Sequence, residues 1–97
     1  MPPTPYPPLP LLPTTIALTA HDSQKDELVE FVRTHAAMLS RYEAIATEKT
    51  GIALRQRTEL IVETLLPGAM GGDVQIAARV AEGQVAAVIC LADSLNI

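Results

Sequence analysis

The chain has 97 residues, enough for one small domain; 48% of them are hydrophobic and only 3% aromatic, so its core must be built from Ile, Leu, Val and Ala. A net charge of −4 and a pI near 4.9 exclude the electrostatic footprint of a nucleic-acid binder or of a protein held to an anionic membrane. No stretch approaches the length of a membrane span, and the N-terminus lacks the basic region of a signal peptide, so a cytoplasmic location is the expectation.

Residues 1–13 form a separate zone that holds seven of the eight prolines. Proline fixes φ and donates no backbone hydrogen bond, so this segment is expected to be a disordered or polyproline tail, with the folded domain spanning 14–97. Its PxxP spacing lacks the flanking basic residue of a docking motif, so it reads as passive. Thr14 to Ala20 is a short β-branched, apolar run and predicts a buried strand. Ser23 is then placed to cap a helix, with Asp26 three residues on. Leu28, Val32, His35 or Ala36, and Leu39 keep one helical face apolar, and the helix is expected to end between Arg33 and Leu39.

Tyr42 to Thr47 predicts a second strand, Thr47 to Gly51 a turn, and Ile52 to Arg57 a short helix. Glu59 to Leu66 predicts a third strand. The glycine loop Gly68-Ala69-Met70-Gly71-Gly72-Asp73 follows, and a helix runs from about Gly72 to Glu82, with Ile76, Ala77 and Val80 on one face and Gly83 as its stop. Val85 to Leu91 is almost continuously apolar, the mark of a strand buried on both faces, and Cys90 within it reads as a small buried hydrophobe. A single cysteine leaves no disulfide within the chain.

Strand and helix alternate throughout. That pattern predicts an α/β fold with a parallel sheet and crossover helices on both faces. Ligands of such sheets bind outside the carboxyl ends of the strands, where four loops meet here: His21-Asp22 to Lys25, Thr47 to Gly51, Pro67 to Asp73, and Ala92-Asp93 onward.

The residue types in those loops suggest a chemistry. Three glycines within residues 68–72 allow a tight turn and close backbone approach, and the N-terminus of the next helix favours an anion. Asp73 can serve there as a helix-start carboxylate or as a general base. Lys25 lies near a helix N-terminus, where the dipole opposes a cation unless an anion is bound; its other reading is a solvated lysine. Asp22 either orients His21 or starts the helix. Thr47, Lys49 and Thr50 could cradle a phosphate. Neither a P-loop nor a GxGxxG fingerprint is present, and no Cys/His cluster has metal spacing. Cationic and hydroxyl groups on one side, with carboxylates on the other, suit a small phosphate ester whose carbon acid is deprotonated.

Ile16-Ala17-Leu18-Thr19-Ala20-His21-Asp22 with Lys25, Ala46-Thr47 with Thr50-Gly51, Met70-Gly71-Gly72-Asp73, and Asp93-Ser94-Leu95-Asn96 together resemble the methylglyoxal synthases, in order and approximate spacing. The resemblance implies a three-layer α/β/α fold of strand order 3-2-1-4-5, of which this chain has four strands in order 3-2-1-4 and lacks the fifth. It implies elimination of phosphate from dihydroxyacetone phosphate to give methylglyoxal, with no metal or organic cofactor, in a homo-oligomer. Carried over, Asp73 is the base; Lys25, Thr47, Thr50 and Gly68 hold the phosphate, with Lys49 and Gly72 expected among the substrate- and phosphate-binding residues; His21, Asp22 and Asp93 line the site. Three departures stand out. Glu48 and Lys49 replace the usual glycine and threonine, Pro67 replaces a serine, and the family continues past residue 97 with a histidine-bearing loop, a helix and the fifth strand. The other class that the residues allow is a non-catalytic module that binds phosphate or another small molecule.

Overall fold

A computed structural model describes residues 13–92; the proline-rich segment through residue 12 and Asp93 with its successors lie outside the described residues. The sheet is parallel throughout, in the order β3-β2-β1-β4. Its strands are β1 (Thr15–Ala20), β2 (Glu43–Ala46), β3 (Val62–Thr64) and β4 (Val85–Leu91). The helices are α1 (Lys25–Thr34), α2 (Ala36–Leu39), α3 (Glu48–Arg57) and α4 (Gly72–Ala81). This is the four-strand order 3-2-1-4 that the resemblance implies.

β1 is central, flanked by β2 and β4. Its Ile16, Ala17 and Leu18 are buried from both faces, as are Ala44, Ile45 and Ala46 of β2. Side chains alternate across a strand, so these short runs feed two separate cores. Ile16, Leu18, Ala44 and Ala46 join Leu28, Val29, Val32, Leu39 and Leu54 beneath α1–α3. Ala17 and Ile45 join Leu65 and Ile76 beneath α4. The α4 layer is the thinner of the two, because Ile76 is that helix's one large buried side chain.

Several local expectations change. Ser23 is not the N-cap residue of α1: it lies within a 3-10 turn over Asp22–Gln24 that precedes the helix, whose N-cap position is Gln24. The predicted turn over Thr47–Gly51 is instead the first turn of α3, with Thr47 as its extended N-cap residue. Gly51 imitates a turn residue but serves packing: a Cβ there would collide with the Thr64 methyl of β3. β3 is shorter than Glu59–Leu66, since Thr58 Oγ1 takes the Leu60 N–H and donates to the Leu54 carbonyl, and Ile61 is left exposed. His35, Ala36, Ala77 and Val80 are also outside the buried core.

The largest change concerns β4. It pairs only with β1 among the described residues, and Ala86, Ala87, Val88 and Cys90 are not buried. The apolar run predicts burial on both faces, but an edge strand lacks a neighbour, and α1 and α4 cover only part of it. Cys90 is accordingly an exposed thiol, not a core residue.

Gly83 ends α4 as expected. Its φ is +73°, its N–H bonds to Val80 O, and Gln84 N–H reaches back to Arg79 O, the paired closure that glycine permits.

Candidate functional site

Because every strand is parallel, all carboxyl ends lie at one edge of the sheet. A crevice of about 370 Å³ opens there, and His21, Asp22, Lys25, Thr47, Lys49, Thr50, Gly68 and Asp73 all line it. They come from three strand-to-helix junctions that are far apart along the chain. A roomier groove of about 730 Å³ lies elsewhere, between Val32, Ala36, Gln56 and Leu60, and holds none of the predicted site residues.

The β1 junction supplies a cation held in place. Lys25 Nζ donates to Asp22 Oδ1 at 2.8 Å and to the Ala20 carbonyl at 3.1 Å. Its side chain is 19% exposed, so it is no freely solvated lysine. Two of the ammonium's three donors are used, which leaves one for a ligand. The hydrogen bond from Lys25, then the charges of Lys25 and Lys49, hold the Asp22 carboxyl below its ordinary range. The short 3-10 turn makes this geometry possible, because it folds Lys25 back over the strand end. His21, exposed on the crevice wall, is fixed through its backbone N–H to the Leu91 carbonyl at 3.0 Å.

The β2 junction supplies hydroxyls and a helix start. Thr47 stands in extended conformation before α3 without a side-chain capping bond. The leading N–H groups of α3 therefore face the crevice end of the sheet without intrahelical partners. Thr50 is 2% exposed, and Lys49 is fully at the surface. Glu48, one of the departures from the family pattern, is exposed and does not line the crevice.

The β3 junction is the glycine loop. Pro67 O accepts the N–H groups of Met70 and Gly72, and Gly68 O accepts that of Gly71. Those donors are consumed by the loop, so the anion seat expected from them at the start of α4 is reduced. Gly71 has φ +109°, the left-handed conformation that glycine tolerates. Gly72 is buried and does not line the crevice; a Cβ there would overlap the Leu66 carbonyl, so its place is set by packing. Asp73 lies in the first turn of α4, where a carboxylate is favoured by the helix dipole, so the reading as a helix-start carboxylate stands beside that as a base. Gln75 Oε1 accepts the Leu66 N–H at 2.9 Å and ties loop to helix.

Sequence reasoning missed Thr19, Ala20 and Cys90, which also line the crevice, and placed Pro67 and Ala69 only in the loop at this edge without a role. Thr19 and Cys90 are register partners one residue before the ends of β1 and β4, a position that only strand pairing reveals.

An open parallel α/β sheet with a polar crevice at its strand ends belongs to the broad class of domains that seat small molecules there. The family can be stated more closely. A family model described as MGS-like domain matches residues 27–96. The chain is 51% identical over 81 residues to a methylglyoxal synthase of Thermus thermophilus, a match covering 84% of this chain and 64% of that protein. It is equally 51% identical over 80 residues to the uncharacterized protein sll0036 of Synechocystis, covering 82% of this chain but 18% of that one. Among solved structures, the crystal structure of methylglyoxal synthase from Elizabethkingia anophelis NUHP1 superposes with a TM-score of 0.82 at 37% identity, over 86% of this chain and 55% of that one. The chain belongs to the methylglyoxal synthase-like family, and it spans just under two thirds of the length of the Thermus protein.

Proposed function

We propose that this domain binds dihydroxyacetone phosphate in the crevice and eliminates phosphate from it to give methylglyoxal, as a cytoplasmic lyase. The observation that supports this most directly is the placement of the Asp73 carboxylate in one crevice with Lys25, Thr47, Lys49 and Thr50. In this reading Asp73 takes the carbon-bound proton of the substrate. The electron pair left behind forms the enediolate, and the carbon–oxygen bond to phosphate then breaks, with the pair leaving on the phosphate. Lys25 through its remaining donor, the Thr47 and Thr50 hydroxyls and the Gly68 backbone hold the phosphate, and Lys49 adds charge. His21 and Asp22 line the site, and the family resemblance adds Asp93, which lies outside the described residues.

The named relatives are methylglyoxal synthases, which supports the reaction class. The test is direct: the chain is incubated with dihydroxyacetone phosphate, and methylglyoxal and free phosphate are assayed together. Equal release of both is expected. Phosphate binding by calorimetry without product would reduce the domain to a binding module, and neither binding nor product would end the proposal.

A further inference from the structure

Asp73 is exposed, so packing does not fix its carboxylate; the backbone of Gly68 stands beside it. Its place against that backbone depends on how residues 67–71 are joined to α4. The chain leaves the sheet at Leu65, which is buried and whose N–H bonds to Ala46 O of β2 at 2.7 Å. The next residue is the seam. The Leu66 carbonyl lies against the Cα of Gly72, where a Cβ would overlap it, and the Leu66 N–H donates to Gln75 Oε1 at 2.9 Å. A side chain of α4 thus grips the backbone just before the glycine loop. The loop returns to the helix through the Gly72 N–H, which donates to Pro67 O at 3.0 Å. Gln75 is two residues beyond Asp73, about 200° round the helix, and does not line the crevice.

We infer that Gln75 is a positioning residue: by holding the Leu66 N–H it sets the glycine loop on α4, and so the place of the Asp73 carboxylate against Gly68. The inference rests on the proposed function for the meaning of that carboxylate as the base. Gln75 acts through the seam and not on substrate, since it stands outside the crevice. Its role is separable from stability. Leu66 is 48% exposed, so water can take its N–H once the side-chain acceptor is removed. Water satisfies the donor but fixes no distance between loop and helix. A reacting group displaced by about 1 Å loses about 100-fold in rate. In the same reading, phosphate is held mainly from the other two junctions by Lys25, Thr47 and Thr50, so its binding depends little on this seam.

The experiment compares Gln75→Leu, which removes the acceptor, with Gln75→Glu, which keeps it, in the 97-residue chain. Gln75→Leu is expected to lower kcat for methylglyoxal formation about 10- to 100-fold, with KM within about threefold of wild type. Gln75→Glu restores kcat to within about threefold, and the urea midpoints of all three proteins stay close. A second measurement needs no turnover. The Gly68 amide resonance is followed by NMR through the ionisation of Asp73, and Asp73→Asn identifies the part of its movement that this carboxylate causes. Gln75→Leu is expected to shrink that part. A Gln75→Leu chain with wild-type kcat, or one whose lost rate follows a fall in urea midpoint, overturns the inference. So does a failure of Gln75→Glu to rescue, or a Gly68 amide that moves in Gln75→Leu as in wild type. A wild-type chain that forms no product sinks the proposed reaction, and the amide movement alone then decides whether Gln75 sets the carboxylate.

Discussion

The Asp73 carboxylate lies against the Cα of Gly68, so close that a methyl group built on Gly68 would come within 3.0 Å of Oδ2. The loop before α4 and the first turn of α4 are thus fitted to each other around one side chain. Gly68 has no left-handed φ, so alanine is tolerated by the backbone and acts only by displacing the carboxylate. Gly68→Ala should therefore fold with a stability change of about 1 kcal/mol or less, yet lower methylglyoxal formation about 100-fold, the usual cost of a misplaced reacting group. Asp73→Asn should cost about 100- to 10,000-fold. Steady-state kinetics beside a urea melt checks both, and full activity in Asp73→Asn would remove this residue as the base.

Lys25 is pre-set by Asp22 and the Ala20 carbonyl, so binding an anion does not have to order it. Lys25→Met is expected to weaken phosphate binding about 10- to 100-fold, the range of a charge-assisted hydrogen bond. Titration calorimetry reads this directly, and unchanged affinity would take Lys25 out of the site.

Two glycines act by close packing and give a stability prediction with a built-in rescue. Gly51→Ala places a methyl on the Thr64 methyl and is expected to cost about 1–3 kcal/mol. Adding Thr64→Ser removes that methyl and should restore most of the loss. Gly72→Ala has no such remedy, because it strikes the Leu66 backbone. Urea midpoints of the three variants test this. A failure of Thr64→Ser to rescue would mean that Gly51 matters for another reason.

Arg79 of α4 makes two hydrogen bonds to Glu63 of β3, at 3.0 and 3.3 Å. These bonds hold the Glu63 carboxyl below its ordinary value of 4.5, and its burial opposes the shift only in part. A depressed folded-state value means that the stabilisation is complete above the ordinary value and is lost as pH falls through the depressed one. The pair is partly solvated, with side chains 33% and 57% exposed, so at most about 1 kcal/mol is at stake. Wild type should exceed Glu63→Gln in stability at about pH 6 and match it near pH 3 in urea titrations.

The exposed edge of β4 carries apolar Val88, 48% exposed, and no charged side chain within the strand. Unpaired strand edges of this kind recruit other chains. The 97-residue chain should self-associate with rising concentration in sedimentation, and Val88→Lys should suppress this while leaving the circular dichroism intact. A chain that stays monomeric throughout would contradict the edge argument.

The sheet order and the polar crevice were legible because they rest on alternation and chirality. Strand and helix alternate cleanly from Thr15 to Leu91, right-handed crossovers allow few topologies, and parallel strands send every junction to one edge. His21, Lys25, Thr50 and Asp73 could be grouped from that alone. What misled was local. Gly51 looks like a turn residue until the Thr64 contact is known, and Gly72 looks like ligand-binding backbone until Leu66 fills the space above it. Cys90 and Val88 look like core because periodicity reports apolarity, not the presence of a neighbouring strand.

The crevice walls come from chain positions as far apart as His21 and Asp73, joined only through β1, β2 and β3. No fragment lacking one of those strands can present them together, so occupancy and folding are thermodynamically linked. Ligand at about 100 times its dissociation constant would add about 2.7 kcal/mol to the unfolding free energy, a sizeable fraction for a domain this small. A thermal-shift screen of small anions against the folded chain would thus rank candidate ligands without requiring turnover.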